Sequence, residues 1–237
     1  MTTTNTVLIT GCSRGLGFTL AEWYHQNGWN VIATARSIVR ADKLVALKPY
    51  KIVEVDTADE ASIRKAAKEL EGEPIDLLIN NAGICLREDF YATTRETMLE
   101  QFTVNTIGPF LVTQAFMPHV KAAANSKGSA KIVHISSLLG SITHGPALTQ
   151  GGSTGYNISK AALNMLHASI AETVKHEKVN IASLSIDPGY VSTDINGDAP
   201  GTITPAESVA GMVNVINNAT LEDNGKFYGY DGAVRDW

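Results

Sequence analysis

Cysteine is scarce: Cys12 and Cys85 are the only two in 237 residues, too few for a disulfide framework and in keeping with a reducing compartment. Long apolar runs are missing too, since none approaches the roughly 20 residues a membrane-crossing helix needs. The opening Met-Thr-Thr-Thr-Asn-Thr lacks the charged and apolar regions of a secretory signal, so the expected address is cytoplasmic. There is no excess of positive charge. Nineteen basic residues are interleaved with 24 acidic ones, for a net charge of -5, which offers no basic face to nucleic acid or to an anionic membrane. His25, His119, His134, His144, His167 and His176 lack the paired helical spacing of metal ligands, and no metal is expected. Internal repeats, low-complexity tracts and linkers are also absent.

What is present is the composition of an ordinary globular protein, 44% hydrophobic and 18% charged. Aliphatic runs alternate with helically spaced stretches, which points to a parallel sheet. Strands are expected at 6–10, 30–35, 52–56, 75–80, 131–136, 179–186 and 226–230. Helices are expected at 16–27, 60–70, 94–124 with a break near Gly108 and Pro109, 156–176 and 206–217. Residues 140–155 read as a loop, and 187–205, with Pro, Gly and Asp at short intervals, as a mobile flap. Fully apolar strands suit a sheet covered on both faces. The expectation is one α/β domain over 1–237, a doubly wound parallel sheet of roughly seven strands, with its ligand crevice beyond the strands' carboxyl ends.

Two motifs carry chemistry. Thr10-Gly11-Cys12-Ser13-Arg14-Gly15-Leu16-Gly17 lies between the first strand and the first helix, where backbone N–H groups and the helix dipole attract a pyrophosphate and glycines let the backbone come close. Glycines also serve tight turns and close helix packing, so the pattern alone is weak. Tyr156 and Lys160 stand four apart at the start of a helix and so share one face. Such a pair is common on helices without any function.

The order of further motifs is more specific. Asn80-Asn81-Ala82-Gly83 follows the fourth strand, Ser137 the fifth, and Pro188-Gly189 the sixth, with Tyr156-x-x-x-Lys160 between the last two. With the Gly-x-x-x-Gly-x-Gly turn, this set resembles the short-chain dehydrogenase/reductase family over nearly the whole chain. The long segment between Ser137 and Tyr156, together with Tyr228-Gly229-Tyr230-Asp231-Gly232 and Trp237, resembles that family's sniffer-like carbonyl reductase branch.

The resemblance implies a Rossmann-type fold and an NADP(H)-dependent oxidoreductase that reduces the carbonyl of a small-molecule ketone or aldehyde. Gly11, Ser13, Arg14, Gly15, Leu16 and Gly17 would hold the pyrophosphate side. Family members specific for NAD place Asp where Ala35 stands, whereas Arg36 and Arg14 suit a 2'-phosphate; the bland alternative is two solvated surface arginines. Asp56, with Thr57 beside it, matches the acceptor for the adenine amino group, although a helix-capping Asp reads the same way. Asn81, Ala82 and Gly83 would line the ribose and nicotinamide side, or merely terminate a strand. Pro188, Gly189, Val191 and Thr193 would cover the nicotinamide.

Tyr156 would donate the proton, with its phenol lowered by Lys160 and by the positive oxidised nicotinamide. Lys160 would also bond the ribose. Ser137 would fix the substrate oxygen; Ser136 is the local competitor, and alternation along the strand turns the two to opposite faces. Asn105 would hold a relay water, or be only a buried capping amide. The family further implies a homodimer or homotetramer. The same scaffold also runs dehydrations and epimerisations in biosynthetic pathways, and a non-catalytic NADP(H)-sensing regulator would keep the same cofactor residues. Cys12 is assigned no function.

Overall fold

Short aliphatic runs form the sheet, and the stretches between them wind into helices that cover it. The computed structural model describes residues 4–150 and 152–237. In it β1 (Thr6–Ile9) leads to α1 (Gly15–Gln26), β2 (Asn30–Ala35) to α2 (Asp42–Leu47), and β3 (Lys51–Glu54) to α3 (Glu60–Glu69). β4 (Leu77–Asn80) is followed by α4 (Arg95–Phe102), α5 (Gly108–Lys127) and β5 (Ala130–Ile135). Next come α6 (Gly145–Thr149), α7 (Thr154–His176), β6 (Ile181–Asp187), α8 (Pro205–Asn218) and β7 (Lys226–Gly229).

The seven strands pair in parallel in the order β3-β2-β1-β4-β5-β6-β7. The order reverses between β1 and β4, and a ligand crevice in such a sheet opens beyond the carboxyl ends of the strands at that point. Alternation along β1 explains why both faces are apolar. Leu8 packs with Ile63, Phe116 and Val120 from α3 and α5, while Val7 and Ile9 pack with Leu20, Tyr24 and Met212 from α1 and α8. Covered on both sides, the sheet is a rigid platform for the loops at its carboxyl edge.

Two sequence expectations need correction. The break near Gly108 is instead a wide helical turn at Thr103–Ile107 joining α4 to α5, with Pro109 in the first turn of α5. Proline is tolerated there because the wide turn already interrupts the regular ladder, Gly108 N bonding Thr103 O five residues back. Residues 140–155 are not a plain loop: they contain the short helix α6, and a tight helical turn, Leu138–Gly140, precedes it. A five-residue helix is too short to show a period. Residues 187–205 contain no regular strand, only an isolated parallel bridge between Val191 and Ile203.

The last strand is pinned by Asp223. Its carboxylate accepts from Thr220 N at 2.8 Å, Lys226 Nζ at 2.8 Å and Tyr228 Oη at 2.7 Å. The Lys226 ammonium, followed by the Thr220 N–H and the Tyr228 hydroxyl, holds the Asp223 carboxyl well below the usual carboxylate range. A depressed folded-state pKa stabilises the fold above the unfolded value of about 3.9, and that contribution is lost as pH falls towards the folded value. Asp223→Asn is therefore expected to melt a few degrees below the parent at pH 7, with the gap narrowing at pH 3. A deficit equal at both pH values would count against this linkage.

Candidate active site

The turn after β1 is built so that only glycine fits at critical points. Gly11 and Gly15 have φ of +73° and +56°, in the left-handed region that side chains avoid. A Cβ on Gly17 would overlap the Gly11 carbonyl and the Asn81 amide. No side chain caps the start of α1, and no acidic residue lies in its first turn. That leaves an open anion seat of the kind that holds phosphate. Cys12, within the turn, is sealed: it is fully buried, donates to Ile9 O, and burial pushes its thiol up to about 12, as expected of a space-filling residue.

The turn is locked to the loop after β4. Thr10 Oγ1 accepts from Asn81 N at 2.9 Å and Ala82 N at 3.0 Å, and Asn81 Nδ2 donates back to Thr10 O at 2.9 Å. The two motifs are thereby brought together, though the Asn81 amide is spent on the turn. Gly83 adjoins both Asn105 and Lys160: a Cβ there would lie 3.2 Å from Asn105 Oδ1 and 3.6 Å from Lys160 Nζ.

At the adenosine end Arg36 is exposed just past β2. Arg14 reaches across to Asp194 at 2.8 Å, so this arginine has a carboxylate partner from the flap. Asp56 Oδ1 accepts from Ala58 N at 3.0 Å, a local turn contact that involves one of its two oxygens. Asp59, not Asp56, caps α3. Thr57 is buried, with its carbonyl close against Gly108. Ser13 is half-buried in the turn.

The other motifs converge on a cavity of about 760 Å³ beyond the ends of β5 and β6. Leu16, Ser137, Tyr156, Pro188, Gly189, Val191 and Thr193 all line it. Alternation separates the two serines as expected. Ser136 is buried and donates to Asn164 Oδ1 at 2.6 Å behind the site, whereas Ser137, whose Oγ accepts from Leu139 N at 3.2 Å, lines the cavity together with Tyr156. Gly140 lets α7 approach this edge closely, since a Cβ there would come within 2.7 Å of the Lys160 carbonyl carbon.

Lys160 is buried, and its Nζ lies 5.7 Å from the centre of the Tyr156 ring. It donates to Ile135 O at 2.8 Å, and burial lowers its ammonium to about 8. The phenol is governed by its burial. Burial, the largest influence, pushes Tyr156 above its ordinary value, while the Ser137 hydroxyl and the Arg87 charge pull it down. Desolvation outweighs both. At neutral pH the phenol therefore keeps its proton.

Asn105 sits fully buried in the wide turn. Its Nδ2 donates to Ile84 O at 2.8 Å and Ser159 Oγ at 3.0 Å, and its Oδ1 accepts from Ile84 N at 2.9 Å. Wide turns of this kind often mark functional sites.

The walls also hold residues that no motif announced. Arg87 projects from the loop after β4, Asp187 ends β6, and Arg235 comes from the last residues of the chain. Asp187 is buried and raised by desolvation, against which the Leu138 and Gly189 N–H groups work. Its position directly before Pro188 was the one available signal. Arg235 carried none, because it reaches the site through tertiary packing. Among the described residues no cluster of His, Cys, Asp and Glu could hold a metal, and no helix is long and apolar enough to cross a membrane.

The family model for short chain dehydrogenase matches residues 5–203. The chain belongs to the short-chain dehydrogenase family. Members of this family are oxidoreductases, and the seven-stranded parallel sheet with flanking helices is the family's Rossmann-like fold. The NADPH-bound carbonyl reductase from chicken fatty liver is 35% identical, with 99% of each chain covered and a TM-score of 0.90. The carbonyl reductase Sniffer of Drosophila melanogaster is 30% identical over 99% of this chain and 100% of its own, also with a TM-score of 0.90. A 1-hydroxy-2-glutathionyl-2-methyl-3-butene dehydrogenase from a Rhodococcus species is 29% identical over 98% of this chain and 100% of its length.

Proposed function

We propose that this short-chain dehydrogenase reduces the carbonyl of a small ketone or aldehyde with NADPH. The observation that carries the reading is the meeting of Ser137, Tyr156 and Lys160 at one edge of the cavity that also adjoins the glycine turn. The NADPH-bound reductase from chicken, alike over the full chain, supports the cofactor. The turn from Gly11 to Gly17 suits the pyrophosphate, and Arg14 and Arg36 supply the cations a 2'-phosphate needs, with Ala35 in place of a carboxylate. Asp56 and Thr57 would meet the adenine; Asn81, Ala82, Gly83 and Lys160 the ribose; and Pro188, Gly189, Val191 and Thr193 the nicotinamide. A bound reduced nicotinamide supplies the hydride.

The chain's own part is to place and protonate the substrate. Ser137 holds the carbonyl oxygen, and Tyr156, kept protonated by its buried setting, donates to that oxygen as charge develops on it. Lys160 stands behind the ring and restores the proton. Asn105 Oδ1 and Lys160 Nζ lie on the same side of Gly83, a place for the relay water that resupplies it. Exposed apolar residues on α4, α5 and α7, among them Leu99, Phe110 and Met165, supply a face for self-association as a dimer or tetramer.

The direct test follows NADPH absorbance against quinones, aldehydes, diketones and polycyclic ketones, with product mass measured in parallel. Oxidation of NADPH with formation of the alcohol is expected. An isomerised or dehydrated product would move the chain to another reaction of the same scaffold, and tight NADPH binding without turnover would favour a regulatory role. A pH dependence follows from Lys160. Its ammonium is lost through about pH 8, so kcat/KM for NADPH is expected to fall above that pH. A profile flat to about pH 9.5 would show that this amine is not needed in its charged form.

A further inference from the structure

We propose that Arg87 is the specificity-determining residue of the substrate cleft, and that it selects carbonyl compounds bearing a carboxylate. The proposal deepens the reductase reading and rests on it. Arg87 lines the cavity from the loop after β4, and its charge is felt at both the Tyr156 phenol and the Cys85 thiol. Tyr156, the proposed proton donor, lines the same cavity.

Its partners are what single it out. Arg14 is paired with Asp194 and Arg235 with Asp231, each through a carboxylate. Among the described residues no carboxylate lies within 4.0 Å of Arg87, and its Nη2 meets only neutral oxygens, Asn196 Oδ1 at 2.6 Å and Ile195 O at 3.4 Å. The nearby acids do not neutralise it. Asp89 Oδ1 accepts from the N–H groups of Tyr91 and Ala92, and Asp187 Oδ1 accepts from Leu138 N. Glu88 makes no ion pair, and its Oε2 is buried without a partner. A guanidinium facing a cavity and held only by neutral acceptors is ready for a better one, since bidentate bonds to a carboxylate are about twice as strong.

The same contacts give Arg87 a second effect. Ile195 and Asn196 belong to the segment after β6 whose Val191 and Thr193 border the cavity, and Asn196 Nδ2 donates to Val191 O at 2.8 Å. A substrate carboxylate drawn to Arg87 is thus drawn to the place where the loop after β4 meets the flap. Its binding is coupled to the flap's position over the reaction.

Two aldehydes that differ in one charge test this: 4-carboxybenzaldehyde and methyl 4-formylbenzoate, each reduced with NADPH. The parent protein is expected to prefer the acid by about tenfold in kcat/KM, the size of one charge-assisted contact. The ratio should shrink as salt is raised, because Arg87 is exposed. Arg87→Gln should bring the ratio close to one. Arg87→Lys should keep part of it, since the charge remains and the fork is lost. A parent preference for the ester, or an acid-to-ester ratio unchanged in Arg87→Gln, overturns the proposal. Calorimetric titration of the NADPH-loaded protein with benzene-1,4-dicarboxylate and its dimethyl ester gives a reading independent of turnover. If no aldehyde is reduced, the reductase reading fails, while tighter binding of the dicarboxylate by the parent than by Arg87→Gln still upholds Arg87 as a carboxylate site.

Discussion

Tyr156→Phe is expected to lower carbonyl reduction by roughly a thousandfold, the middle of the range for removing a general acid, while NADPH still binds. The substitution deletes one oxygen from a ring that lies in the cavity wall, beside Ser137 and over Lys160, so the packing of the ring survives. What is lost is the proton. Lys160 does not replace it, because its Nζ is turned to Ile135 O. Steady-state reduction of a confirmed substrate, with NADPH binding followed by fluorescence, separates the two effects. Turnover at the parental rate with intact binding would remove Tyr156 from its assigned role.

Gly17→Ala should have the second largest effect, and for a reason that concerns backbone and not chemistry. A methyl group at this position overlaps the Gly11 carbonyl and the Asn81 amide. Neither can move freely: Gly11 is held at φ +73°, and the Asn81 amide donates to Thr10 O at 2.9 Å. Overpacking of this kind costs about 1–3 kcal/mol, which for a chain of this size lowers Tm by roughly 2–10 °C. Displacing α1 from the turn also spoils the anion seat at its start, so NADPH affinity is expected to fall by about tenfold or more. Thermal melts with and without NADPH read both losses. Parental Tm and affinity together would mean that the turn is far more compliant than its hydrogen bonds imply. Gly15→Ala is a useful contrast. It has φ of +56° but open space, the nearest atom to its Cβ being Thr193 Cγ2 at 3.8 Å, so its cost should be limited to backbone strain.

Much of this architecture was legible in one dimension because the signals are local. Strand runs of apolar residues declare themselves wherever a sheet is buried on both faces, as Val7, Leu8 and Ile9 do, and their boundaries shift by only a residue or two. The Gly11-to-Gly17 turn and the Tyr156–Lys160 spacing read directly, because a tight phosphate loop and a shared helical face are each properties of a few consecutive residues. Ser137 over Ser136 followed from the family's pattern of paired serines after the strand, with alternation turning the two to opposite faces. The helix α6 did not read, being shorter than any period, and the wide turn at Thr103–Ile107 looked like a break because Gly and Pro follow it at once.

The chain's order of residues thus determined the α/β class and the family, and it named the candidate catalytic groups, since each depends on short-range pattern and on the succession of motifs. Tertiary structure alone decided how those groups behave. Burial, a property of the packed site, raised the Tyr156 phenol and lowered Lys160. Packing likewise carried Arg87, Asp187 and Arg235 from three distant stretches into one cavity, a coincidence in space that no spacing along the chain encodes.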